Sequence, residues 1–226
     1  MATLPAGTVT FVFSDIEGST GLLKRLGSGY EALIADHRRL VRETFARHEG
    51  VEIDMQGDSF FFAFARARDA VAAAVELQRA HAQHQWPDRE TVRVRMGLHT
   101  GEPAVGDEGY LGVDVVRAAR LSATGAGGSV LLSEATRALL GSSLPDGVSI
   151  HPAGERLLKD IDEPERVFEL EIEGVDASPK PATREKAKET DWERRTEELA
   201  EQMTERINKQ VFESLERSLG KLGKRP

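Results

Sequence analysis

A chain of 226 residues, 39% hydrophobic and 30% charged, has room for one domain with a full hydrophobic core plus a polar extension. Its net charge of −8 argues against a general nucleic-acid binder, which needs a basic face, and no apolar run approaches the ~20 residues of a membrane-spanning helix. The lack of cysteine excludes disulfides, thiolate chemistry and zinc–sulfur sites; the leading MATLPAG has neither the charged nor the apolar region of a secretion signal, so a cytoplasmic protein is expected.

After a short lead-in, residues 8–14 read as the first strand, with β-branched and aromatic residues suited to a buried, pleated position. The strand runs into Asp15 and Glu17, then into a turn of Gly18, Ser19 and Thr20 that opens a short helix carrying Leu22, Leu23 and Leu26. A carboxylate at the end of a buried strand can hold a hard cation, and the free N–H groups of the following turn can face an anion. The same segment also reads as a solvated strand end with an ordinary cap.

Ser28 and Glu31 match a capping box, which predicts a helix running to about His48. Its buried face carries Leu33, Ile34, His37, Leu40, Val41, Thr44 and Phe45, and Gly50 is expected to end it. Residues 51–64, VEIDMQGDSFFFAF, form two apolar runs around Gln56 and Gly57, a β-hairpin with glycine at the position needing positive φ. Asp58 falls just after that turn, at the start of the second strand. If the hairpin lies beside the first strand, Asp15 and Asp58 converge at the sheet edge. Two such carboxylates repel unless a cation lies between them, and two Mg²⁺ ions roughly 3.5–4 Å apart are the usual arrangement in phosphoryl transfer.

An Ala-rich helix follows over residues 66–84, broken by Trp86, Pro87 and Asp88. Residues 92–100 alternate as a strand with one polar face carrying Arg93 and Arg95, and His99 reads as a hydrogen-bonded core histidine beside a glycine loop at 101–112. His81 and His84 stand three apart on the preceding helix with no third ligand evident. That loop has room for a short strand at 103–105; a helix over 113–124, a strand at 129–132 and a short helix capped by Ser133 follow. Strands at 148–150, 154–158 and 167–172 close the domain.

The order is βαββαβ with a smaller α/β tail, which predicts an α+β, ferredoxin-like core: an antiparallel sheet with helices on one face. Residues 1–173 are expected to form that domain, 174–189 a polar linker, and 190–226 an amphipathic helix with a capping box at Thr190–Glu193. The helix would span about 45 Å at 1.5 Å per residue. Its apolar stripe, from Trp192 to Leu219, steps nearly always by four, which suits a docking face on a partner protomer or another protein better than a long coiled coil.

With these parts placed, the chain resembles the class III nucleotidyl cyclase catalytic domain, in a wording close to actinobacterial members. The match covers about residues 8–172. It rests on FSDIEGST at 13–20, GDSFF at 57–61, RMGLHTGE at 95–102 and GVDVVRAAR at 112–120, in the family's order and spacing. The resemblance implies conversion of a nucleoside triphosphate to a cyclic 3′,5′-monophosphate and pyrophosphate in second-messenger signalling, with two Mg²⁺ or Mn²⁺ ions as cofactors. It implies that Asp15, Asp58 and the Ile16 carbonyl hold the metals, and that the amides of Gly18, Ser19 and Thr20 cradle phosphates. Arg120 matches the arginine acting on the transferring phosphoryl group, and Lys159 in LKDI is the candidate triphosphate contact. It also implies a head-to-tail homodimer with sites at the interface.

Three positions depart from the family pattern. Asp54 stands where a lysine reads adenine, Gly109 falls at about the partner position, and Val116 replaces the asparagine that orients the ribose. A carboxylate accepts hydrogen bonds, which suits the donors of guanine, or of uracil, rather than the N1 acceptor of adenine. Asp54 also reads as a hairpin acid facing solvent, and Arg120 as a helix-surface ion pair. The altered half-site keeps a second function open: a degenerate cyclase-homology domain that binds nucleotide or a partner and regulates without catalysis. A diguanylate cyclase on the same core lacks support, because no GGDEF-like stretch is present.

Overall fold

The computed structural model describes residues 4–106, 109–141 and 143–178. The predicted C-terminal helix and its capping box lie outside the described residues. The described chain runs β1 (Val9–Ile16), α1 (Ser19–Leu26), α2 (Tyr30–Arg47), β2 (Val51–Gln56), β3 (Ser59–Phe64), α3 (Ala67–Gln83) and β4 (Val94–Gly101). It continues with β5 (Ala104–Gly106), β6 (Gly109–Leu111), α4 (Val113–Ala123), β7 (Val130–Ser133), α5 (Glu134–Leu140), β8 (Val148–Arg156) and β9 (Glu165–Ile172).

Seven strands form one mixed sheet in the order β2-β3-β1-β4-β7-β9-β8, and β5 pairs with β6 in a separate hairpin. All pairings in the large sheet are antiparallel except β4 with β7. Its first four strands, with α2 and α3, are the expected βαββαβ core, in the ferredoxin-like order β4-β1-β3-β2.

The period of two along β1 divides the core. Val12 and Ile16 pack with Phe60, Phe62 and Phe64 of β3 against α2 and α3. Val9, Phe11 and Phe13 point the other way, with Phe61 and Ala63, onto Tyr110 and α4. The two helices of the core share one face as expected, while α4, which follows the core in the chain, covers the opposite face. That is why every residue of β1 is buried, and why β4 does not have the solvated polar face expected of it. Phe13 stacks on Phe61 with centroids 4.4 Å apart, and Phe11 meets Tyr110 edge-on at 4.9 Å.

Gly97 makes the close approach of α4 to β4 possible: an added Cβ would lie 2.3 Å from the Ser122 backbone nitrogen. Gly97→Ala should therefore force α4 off the sheet and cost about 1–3 kcal/mol, read as a lowered midpoint in urea with unchanged slope.

Several local expectations change. Ser28 does not cap α2: a 3₁₀ turn at Gly27–Gly29 leads straight into the helix, and the chain there is already helical, leaving no extended residue to act as a cap. The left-handed residue that ends α2 is Glu49, with φ 61°, not Gly50. Gly50 is needed for space instead, because a Cβ there would meet the Phe64 ring at 2.6 Å. The strands expected at 148–150 and 154–158 are one strand, β8, with an irregularity between Pro152 and Glu155. Residues 174–178, expected as linker, lie against the domain: Val175 packs on the core and the Ser178 amide donates to the Gly127 carbonyl at 2.7 Å.

Candidate active site at the end of β1

β1 extends two residues past its expected end, so Asp15 lies within the strand, on the α4 face, directly across from Arg95 of β4. Asp58 lies in the two-residue turn between Gln56 and Ser59, rather than at the start of β3; the register pairs Gln56 with Ser59, and Gly57 takes φ 62°. The antiparallel pairing of β1 with β3 brings that turn to the end of β1, where Asp58 Oδ2 accepts from the Ile16 amide at 3.2 Å. Asp15 is 1% exposed and Asp58 3%. The two carboxylates predicted to converge are therefore neighbours at one sheet edge.

Sequence reasoning did not assign Arg95 to the site. Its guanidinium grips Asp15: Nε donates to Oδ1 at 2.8 Å and to Oδ2 at 3.0 Å, and a terminal nitrogen donates to Oδ2 at 2.8 Å. The signal was present in the pattern, since Arg95 stands on the same polar alternation as Gly97 in RMGLHTGE. Burial pushes the Asp15 carboxyl up to about 6; the charge and hydrogen bonds of Arg95 offset part of that, and the charges of Asp58 and Glu17 add to it.

The carboxylate pair fits a hard divalent cation. Buried oxygens of two acids adjoin the Ile16 backbone, and among the described residues no third acid or histidine completes a protein cage. Such a donor set suits Mg²⁺, which takes one or two carboxylates and fills its shell with water and phosphate oxygens. A cation reaching Asp15 has to share it with Arg95.

Gly18 stands left-handed, φ 66°, at the start of α1, and nothing lies within 4 Å of where its Cβ would be. Ser19 and Thr20 form the first turn of α1, so the expected anion-facing amides are placed directly after the carboxylate strand. Glu17 turns away from them: its carboxylate accepts from the Gly127 amide at 2.9 Å and from the Ser178 hydroxyl at 2.6 Å, pinning two loops to the strand end.

The other expected residues fall in two further places. Arg120, 8% exposed on α4, donates to Asp160 at 3.1 Å, and its Nε is buried with no hydrogen-bond partner among the described residues. That bond brings Arg120 to the loop carrying Lys159, an exposed residue immediately before Asp160. Val116 lies half-buried one turn earlier on α4. Asp54 is exposed on the edge strand β2, where its Oδ1 accepts from the Met55 amide at 2.8 Å; its register partner is Phe61, which places it on the same sheet face as Asp15. Gly109 opens β6 with φ 119°, in the hairpin beside α4. Within the chain no described contact joins Arg120, Asp54 or Gly109 to the carboxylate pair. His99 is the structural histidine expected, with Nδ1 2.9 Å from the Ser133 hydroxyl and Nε2 3.1 Å from Asp114.

Residues 1–168 match the model of the adenylate and guanylate cyclase catalytic domain, and the chain belongs to that family. An uncharacterized protein of Mycobacterium tuberculosis is 38% identical over 168 residues, covering 74% of this chain and 56% of that protein. The chain thus spans just over half the length of the mycobacterial relatives it matches. An adenylate cyclase structure from Trypanosoma brucei superposes with a TM-score of 0.70 at 25% identity, over 75% of this chain and 90% of that one. The guanylate cyclase domain of a Catenaria anguillulae protein, solved with GTP, shares the fold with a TM-score of 0.64 at 19% identity, over 74% of this chain and 97% of that one. No helix among the described residues is long and apolar enough to cross a membrane.

Proposed function

We propose that residues 1–173 are the catalytic domain of a nucleotidyl cyclase. It converts a nucleoside triphosphate to the 3′,5′-cyclic monophosphate at the interface of a homodimer. The observation that carries this reading is the meeting of Asp15 and Asp58 at the end of β1, within a chain of the cyclase family. The 3′-hydroxyl gives its proton to solvent as its oxygen attacks the α-phosphorus, the bond from that phosphorus to the bridging oxygen breaks, and pyrophosphate leaves with the electron pair. Asp15, Asp58 and the Ile16 carbonyl would hold two Mg²⁺ or Mn²⁺ ions, which when bound make the 3′-hydroxyl more acidic and neutralise phosphate charge. The amides of Gly18, Ser19 and Thr20 would receive phosphate oxygens. Arg120 would act from the partner protomer on the transferring phosphoryl group, its Nε–H having no hydrogen-bond partner among the described residues. Lys159 would contact the triphosphate from the neighbouring loop. Residues 190–226 would dock beyond the linker on the partner protomer or another protein.

The decisive experiment is incubation of the purified chain with each of the four ribonucleoside triphosphates and Mn²⁺ or Mg²⁺, with cyclic products resolved by mass spectrometry. Tight metal-dependent binding without any cyclic product would favour the regulatory, non-catalytic reading that Asp54 and Val116 keep open.

Asp54 bears on the base. It shares the face of Asp15 and is exposed, hence available to a nucleotide seated across the interface. A carboxylate opposite the adenine N1 lone pair is repelled, whereas guanine N1–H and N2–H₂ can both donate to it. GTP, or failing that a pyrimidine triphosphate, should bind better than ATP. Asp54→Lys should shift the preference toward ATP, by much less than the ~10⁴-fold limit of a dry polar pocket, since the Asp54 site is open and Gly109 adds no side chain. Competition binding of ATP and GTP checks this; a ratio unmoved by Asp54→Lys would take Asp54 out of the base site.

A further inference from the structure

We propose that His37 and Arg38 of α2, backed by His81 of α3, are positioning residues that hold the Asp58 turn in place for the cation. The inference rests on the reading of Asp58 as a cation ligand. Two consecutive helix residues reach two consecutive carbonyls of the turn. Arg38 donates to the Gly57 carbonyl through Nε at 3.1 Å and through a terminal nitrogen at 2.7 Å. His37 Nε2 lies 3.0 Å from the Asp58 carbonyl. The backbone of the turn is therefore gripped from the α2 side while the Asp58 carboxylate faces the end of β1.

His37 sits where packing alone would select an aliphatic residue. It is 0% exposed, on the stripe that buries Leu33, Ile34 and Val41, and it meets the Phe60 ring edge-on at 5.7 Å. Its second nitrogen, Nδ1, lies 3.0 Å from His81 Nε2, and His81 Nδ1 lies 3.0 Å from the Leu77 carbonyl. Burial holds both rings well below the ordinary histidine value, at about 4 for His37 and about 3 for His81, so both are neutral near pH 7.

Two neutral rings carry two ring protons, and three contacts compete for them. In the proposed arrangement both Nε2 atoms are protonated: His81 would donate to His37 Nδ1, and His37 would donate to the Asp58 carbonyl. This is the arrangement by which an outer residue orients a ligand-bearing segment. It matters because a cation site tolerates only about 0.5 Å of displacement in its ligands.

The test compares full-length wild type, the double variant His37→Leu with His81→Leu, His37→Gln and Arg38→Met. Mn²⁺ is titrated calorimetrically in the presence of 3′-deoxy-GTP and 3′-deoxy-ATP, which lack the attacking hydroxyl. Thermal unfolding and amide exchange at Gly57 and Ser59 are followed in the metal-free protein. Replacing both rings by apolar groups removes the ring–ring contact from both sides but leaves the Asp58 carbonyl without the His37 donor, so the double variant should stay folded and melt somewhat below wild type. It should lose on the order of tenfold in Mn²⁺ affinity and exchange the turn amides faster. Arg38→Met, at the helix surface, should weaken Mn²⁺ binding in the same direction and carries the test alone if the double variant does not fold. His37→Gln, whose amide can donate from the same place, should retain most of the affinity. Wild type that binds Mn²⁺, with unchanged affinity in the double variant and in Arg38→Met, would overturn this inference and leave the proposed function standing. Equal losses in His37→Gln and in the double variant would reduce the histidine to packing and overturn it as well. Wild type that binds no Mn²⁺ would remove the proposed cation site and the inference with it.

Discussion

Asp58→Ala should abolish Mn²⁺-dependent triphosphate binding and turnover while leaving a folded protein; Asp15→Ala should abolish both and also destabilise the fold by about 3–5 kcal/mol. The difference comes from what each carboxylate leaves behind. Asp58 accepts from the Ile16 amide, so its removal orphans that buried N–H, worth about 1–3 kcal/mol, and relieves the repulsion with Asp15. Asp15 holds all the short bonds described for the Arg95 guanidinium, whose side chain is only 13% exposed. Removing that acid takes from a largely buried cation the carboxylate that grips it. The double variant Asp15→Ala with Arg95→Met should regain much of the stability and none of the binding, which separates the structural role of Asp15 from its role toward metal. Unfolding in urea and Mn²⁺ titration are the two readouts. Undiminished Mn²⁺-dependent turnover in Asp58→Ala would end the two-carboxylate reading, and equal stability of the two single variants would mean that Arg95 finds another partner.

Arg95 also changes how the site is understood. From sequence, two converging carboxylates call for a cation between them. In the folded chain Asp15 already has one, supplied by the strand next door. Part of the charge of the carboxylate pair is thus already compensated within the chain, and an incoming ion would have to share Asp15 with a guanidinium. Asp15 is held up to about 6, so its negative charge is fully developed only above that pH.

Features carried by strong local periodicity were legible in the sequence. The alternation in β1, the helical stripes of α2 and α3, and the glycine of the β2–β3 turn fixed the ferredoxin-like core and brought Asp15 beside Asp58. Features that depend on neighbours distant in sequence were not. Ser28 carries the composition of a cap, yet the chain entering α2 is already helical, and a cap needs an extended residue. Gly50 looks like a helix stop, yet the Phe64 ring explains it. The burial of both faces of β4 follows from α4 crossing the sheet, which no pattern within β4 announces. Arg95 and His37 are the instructive cases: a charged residue on a strand and a histidine on an apolar stripe both have bland local readings. Only the register of β1 with β4, and the position of the turn over α2, bring them to the candidate site.

Mixing inactive Asp58→Ala protein with inactive Arg120→Ala protein should restore cyclic nucleotide formation. Within one chain Arg120 bonds to Asp160, and no described contact ties it to the carboxylates at the end of β1. If Arg120 acts across a two-fold interface, each site takes its carboxylates from one protomer and its arginine from the other. A mixed dimer then holds one site with both defects and one with neither. Random exchange of equal amounts places about half of the protein in mixed dimers, so recovery should approach about a quarter of wild-type turnover. Neither variant disturbs the other's residues: Asp58 lies in the β2–β3 turn and Arg120 on α4. The measurement is product formation after the variants are mixed, incubated and assayed, with subunit exchange followed independently by native mass spectrometry on tagged chains. Full exchange with no recovery would place Arg120 and the carboxylates in the same chain's site. The Arg120–Asp160 pair would then have to open for a phosphate, and the homodimer would no longer be needed to complete the chemistry.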